Sequence, residues 1–152
     1  MSDVLLRAVE LAPPDSEQGA PLLPRYLRQL FQSEENHDRA LEALDQALAI
    51  AHRDQDADLE MKTLEYAGHG SLFQLKYQEA VKHSLQASKL ARQLNDMASE
   101  EHASWVAARA LLLSGDLERA RPLVQSGLAL AEQLRFRFQL AHAIWLNAEV
   151  SD

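Results

Sequence analysis

The sequence predicts an all-α protein, a solenoid of antiparallel helical hairpins with a period of about forty residues. Three observations predict it. Leu and Ala dominate the 152 residues, and five Gly with five Pro are too few for a loop-rich β protein. Apolar residues recur at three and four positions, as amphipathic helices require, and β-branched residues are sparse. A shift of forty residues brings three segments into register, starting at Asn36, Lys76 and Asp116. Ala40, Ala80 and Ala120 then coincide, as do Ala47, Ala87 and Gly127, Ile50, Leu90 and Leu130, and Ala51, Ala91 and Ala131. Small residues at fixed spacing let two helices approach closely, with larger apolar residues filling the next layer.

Seven or eight helices follow in order. Residues 4–13 (VLLRAVELAP) read as the second helix of a hairpin whose first is missing. The first complete hairpin spans 17–56. Pro21 and Pro24 suit an opening turn and not a helix middle, so its first helix starts near Pro21 or is kinked. Its second helix is the segment from Asn36. The next hairpin, 57–96, pairs 58–73 with the segment from Lys76, and the third, 97–136, pairs 98–113 with the segment from Asp116. Residues 138–150 begin a further copy, and His102-Ala103-Ser104-Trp105 recurs as His142-Ala143-Ile144-Trp145. Turn signals stand at Arg53 to Asp58, Asn95-Asp96 and Ser114-Gly115-Asp116. The chain is thus one domain, 1–152: half repeat 2–16, full repeats 17–56, 57–96 and 97–136, and half repeat 137–150. Within the second hairpin, Gly68-His69-Gly70 marks either a close helix contact or a functional break.

Neither end reads as a polar capping repeat. The chain is either a piece of a longer protein or a small protein whose ends are covered by self-association. Leu5, Val9 and Ala12 at one end, with Leu140, Ile144 and Val150 at the other, would then expose apolar faces suited to a two-fold dimer.

The net charge is −8, and residues 34–65 alone carry ten acidic and three basic residues, a net of −7. That segment is either a solvated outer helix or a docking patch for a basic partner. The balance argues against direct nucleic-acid binding, which needs clustered Lys and Arg. No apolar run has the length of a membrane span. Cysteine is absent, which excludes disulfides and thiolate chemistry and leaves a cytoplasmic location as the plain expectation.

The run Ser114 to Ala120 (SGDLERA) resembles the turn and second-helix start of a tetratricopeptide repeat. Ala8, Leu11 and Pro13 resemble the end of such a repeat, and Gly68, Tyr77 and Ala80 fall where that pattern favours them. The period of forty exceeds the usual figure of about thirty-four. His52, Arg92 and Glu132 stand where the pattern has its terminal Pro, and helices longer by about one turn in total account for both departures. Longer repeats lacking that Pro look like those of LuxR-type, ATP-dependent transcriptional activators of the maltose-activator kind, and like similar regions attached to nucleotide cyclases. The resemblance implies a right-handed solenoid acting as a sensor or protein-interaction platform of a bacterial regulator.

No constellation of catalytic residues stands out. The sequence has no GxxxxGK[ST], no GxGxxG and no HExxH, so neither a nucleotide cofactor nor a helical zinc pair is expected. His102 and His142 share a register, but two His without Cys make a poor metal site, and exposed or groove-lining positions suit them better. Glu34-Glu35 and Glu100-Glu101 diverge on a helix and are expected to be solvated. The expectation is therefore a non-catalytic module binding a protein, a peptide or a small-molecule effector, with a free-standing scaffold or adaptor as the alternative. An ATPase module upstream and a helix-turn-helix downstream in the reading frame would mark the regulator, and a stop codon after Asp152 the adaptor. In proteins that the chain resembles, the first helix of each hairpin lines a ligand groove. The matching stripe here is Lys62, Glu65, His69 and Leu72, then His102, Trp105, Arg109 and Leu112, then His142, Trp145 and Glu149. Ala103, Ala107 and Ala110 form the opposite, close-packing stripe. Trp105 and Trp145 either line that groove or pack between neighbouring first helices.

Overall fold

The structure is a computed structural model and describes residues 22–31, 37–134 and 137–151. The half repeat 2–16, with Ala8, Leu11, Pro13, Leu5, Val9 and Ala12, lies outside the described residues, as does Pro21. The described residues hold seven α-helices and no strand. These are α1 (Leu23–Leu30), α2 (His37–Asp54), α3 (Ala57–Phe73), α4 (Tyr77–Gln93), α5 (Met97–Leu113), α6 (Leu117–Leu134) and α7 (Arg137–Ser151). Pro24 stands in the first turn of α1, where a missing N–H is harmless. None of the described helices is long and apolar enough to cross a membrane.

The turns show a regularity at half the sequence period. Gln55, Leu75, Asn95 and Gly115 all take positive φ, at 53°, 59°, 58° and 84°. Each stands twenty residues from the next. The following residue then sends its N–H back to the helix just finished: Asp56 to Ala51, Lys76 to Ser71, Asp96 to Ala91 and Asp116 to Leu111, each at 2.9 Å. This is the Schellman closure, which satisfies carbonyls that the helix end would leave orphaned. The same residue opens the next helix. Asp56, Asp96 and Asp116 accept from the backbone N–H of Leu59, Ser99 and Arg119, whereas Lys76 gives α4 no side-chain cap.

Leu75 is the unfavourable member of the series, because its Cβ crowds the left-handed backbone at about 1–2 kcal/mol. Its side chain is 67% exposed, so little burial offsets the strain. Leu75→Gly is expected to raise stability by about 0.5–1 kcal/mol after the greater chain entropy of Gly is counted. Urea denaturation checks this, and a loss of stability would show that Leu75 packs more than it strains.

Each helix packs on the next in the chain, and α1, α3, α5 and α7 also pack on one another in order. The inner helices α3 and α5 each touch four others, whereas α2, α4 and α6 pack chiefly on their two neighbours in the chain. Burial follows. α4 buries one stripe of small residues, Ala80, Val81, Ser84, Ala87, Ser88 and Ala91. α5 buries residues around most of its circumference, including the expected stripe of Ala103, Ala107 and Ala110. The register residues are where the spacing places them: Ala40, Ala47, Ala80, Ala87, Ala120 and Ala131 are all fully enclosed.

Two expectations are corrected here. Glu100 and Glu101 are both buried and not solvated. Neighbouring residues do diverge by about 100° on a helix, but α5 is covered over a wider arc than that. Val150 is also buried, in a core cluster with Leu146, Leu111 and Val124, because α7 lays that face on α5 and α6. Of the apolar residues expected at that end, only Ile144 is found exposed, and the side chain of Leu140 lies outside the described residues.

Gly68 and Gly70 mark close contacts and no break, since α3 runs through both. A Cβ on Gly68 would fall on the Ser84 side chain of α4, and one on Gly70 would fall on Phe31 at the end of α1.

Candidate ligand groove

The stripe on α3, α5 and α7 is assembled by the helix-on-helix row. Glu65 and His102 join α3 to α5 through an Oε1–Nδ1 contact of 2.5 Å. The His102 ring meets His69 edge-on, with centroids 5.4 Å apart, and stacks on Trp105 at 6.1 Å. His69 also meets Phe73 edge-on at 5.0 Å. One turn further along, the Arg109 guanidinium lies 5.7 Å from the Trp105 ring centre and 5.1 Å from that of Trp145. One arginine on α5 thus bridges indoles on α5 and α7.

Three hollows follow one another along these helices. The first, about 170 Å³, lies between α1 and α3 and is lined by Arg28, Phe31, His69, Gly70 and Phe73. The second, about 380 Å³, lies between α3 and α5. His69, Leu72, Phe73 and Leu75 form one side of it, and Trp105, Arg109 and Leu113 the other. The third, about 520 Å³, lies between α5 and α7, with Arg109, Leu112, Leu113, Leu117, Trp145 and Glu149.

Most of the expected stripe is therefore brought together. Lys62, Glu65 and His102 line none of these three hollows: the Lys62 ammonium turns to Asp58 one turn back, at 2.6 Å, and Glu65 and His102 pair with each other. The side chain of His142 lies outside the described residues. Trp105 borders both the core and a hollow. It is half-buried against the core cluster that includes Val106 and Leu111, and it also lines the second hollow. Trp145 is 43% exposed. The stripe read from spacing missed Arg28, Phe31, Phe73, Leu75, Leu113 and Leu117. Phe73 and Leu113 stand forty apart at helix ends, a recurrence that the sequence displays. Arg28 has no such signal, because it reaches the row only through the fold of α1, where it lies 5.9 Å over Tyr66.

The two groove histidines are pushed apart in pKa. Burial holds His69 below the ordinary histidine value, and the charges of His102 and Arg28 push the same way against a smaller pull from Glu65. Burial also pulls His102 down, but the hydrogen bond and charge of Glu65, with the charge of Glu101, outweigh it, so His102 ends above its ordinary value. On acidification His102 takes its proton first and thereby opposes protonation of His69 beside it. Among the described residues no group of three or more His, Cys, Asp or Glu could hold a metal ion.

Glu101, one residue from His102, is 3% exposed, and burial raises its carboxyl pKa against a smaller opposing pull from His102. The folded state therefore resists the charged form. Glu101→Gln is expected to raise the thermal midpoint at pH 7, where wild type folds with a carboxylate. The gain should close as pH falls below the ordinary carboxyl range, where the side chain is neutral both folded and unfolded. Thermal denaturation from pH 7 to about 3 checks this, and a lower midpoint for the variant at pH 7 would mean that the carboxylate is held by favourable contacts.

Compared with known proteins, the chain matches no family model, and no curated protein matches it.

Proposed function

We propose that the chain is a non-catalytic binding module, a right-handed, tetratricopeptide-like solenoid whose inner row of helices holds a protein, peptide or small-molecule effector. The observation that carries the reading is the continuity of the three hollows. His69 and Phe73 belong to both the first and the second, and Arg109 and Leu113 to both the second and the third. Large aromatic and arginine side chains on such a surface supply contact area together with hydrogen-bond donors, the composition that binding sites favour. The solenoid form is supported by the helix turns recurring every twenty residues and by the contacts between alternate helices. The role of sensor or docking region in a bacterial transcription or signalling regulator rests on the sequence resemblance alone, and a cytoplasmic location on the absence of cysteine. The genomic reading frame tests that part.

The two tryptophans of the chain make the binding reading testable. Peptide and fragment libraries are screened by nuclear magnetic resonance, with the indole N–H signals of Trp105 and Trp145 as reporters. Binders are expected to move both signals, and Trp105→Ala is expected to weaken them by about tenfold or more while the rest of the spectrum stays dispersed. Binders that leave both indoles unmoved would place the ligand surface elsewhere.

A further inference from the structure

We infer that the hollow between α3 and α5 is a site for a small amphipathic anion: one carboxylate, sulfonate or similar group on an aromatic or aliphatic body. This rests on the binding-module reading and names the ligand chemistry of its central hollow. The charge pattern carries it. Acidic residues outnumber Lys and Arg by 23 to 15 in this chain, yet no carboxylate lines this hollow. Its two polar groups with ionisable nitrogen are Arg109 and His69. Arg109 makes no ion pair among the described residues and is held instead between two indole faces. The two indoles restrict the guanidinium without using up its N–H donors, which suit a planar anion. Glu65, the carboxylate of the α3 stripe, is already engaged by His102.

The walls decide between a peptide and a small molecule. Apart from Arg109 and His69, the lining is Leu, Phe and Trp. A peptide backbone would bring N–H and C=O groups that need partners when desolvated, and this hollow offers no amide or hydroxyl side chain to pair them. An apolar body with one anionic group needs only what is present. The volume of about 380 Å³ falls within the range of small-ligand sites.

The test uses 1-anilinonaphthalene-8-sulfonate as the anionic probe and dansylcadaverine as an apolar cation of comparable size. The folded chain is expected to bind the sulfonate saturably, to move the Trp105 indole signal, and to bind the cation about tenfold or more weakly. Arg109→Gln is expected to lose about tenfold in sulfonate affinity, as removal of a charge-assisted hydrogen bond does. Arg109→Lys, which keeps the charge, should retain part of it, and Arg53→Gln on the distant α2 should change nothing. Equal binding of the two probes, or no effect of Arg109→Gln in a variant with a native spectrum, overturns the anion site but leaves the groove standing. The same holds if only library peptides, and no small anion, occupy the hollow. If neither probe nor any library member moves either indole, the groove reading falls with it.

Discussion

Ala80→Leu is expected to destabilise the chain by about 1–3 kcal/mol, the usual effect of forcing extra methylenes into a filled core. Ala80 is 0% exposed and lies in the core cluster that joins α4 to α5, α6 and α7. A leucine there must push α4 off its neighbours or take a strained rotamer. Its register mates Ala40 and Ala120 are enclosed in the same way, so leucine at either should act alike. Glu79 is exposed on the same helix, and Glu79→Leu should stay within about 0.5 kcal/mol of wild type. Chemical denaturation midpoints for the four variants check the register, and an unchanged midpoint for Ala80→Leu would refute it.

Gly68→Ala is expected to destabilise the chain by about 1–2 kcal/mol even though alanine is the better helix former by about 1 kcal/mol. The added methyl would fall on the Ser84 side chain and within 3.1 Å of the Ser84 backbone nitrogen. Backbone cannot swing aside as a side-chain tip can, so α3 and α4 must separate. Ser84→Gly in the Gly68→Ala background should recover part of the loss, because the two changes share one contact and are not additive. Two independent, additive losses would mean that the contact is not the cause.

Helix periodicity, the forty-residue shift and the small residues within it were legible in the chain because they are local or periodic consequences of packing. The seven helices among the described residues, the enclosed alanines and the turns at 55–56, 94–96 and 114–116 follow from them. The turn at 74–76 was not legible. Leu75 and Lys76 offer neither a residue suited to positive φ nor a capping side chain. That turn is imposed by the helices on either side, which have Gly68 and Ser84 to meet.

Burial of Glu100 and Glu101 and the whereabouts of the stripe residues belong to the tertiary structure. The sequence alone determined an all-helical chain, the register of its small residues and the shared spacing of Glu65, Trp105 and Trp145. Only the tertiary structure decided that Arg109 lies between two tryptophans and that Arg28 joins the row, whereas the turn of Lys62 to Asp58 is a local pair four residues apart on one helix. Periodicity reports which face of a helix is apolar. It does not report how many neighbours cover that helix, nor which side chain from another helix arrives beside it, because those depend on contacts between residues of different helices.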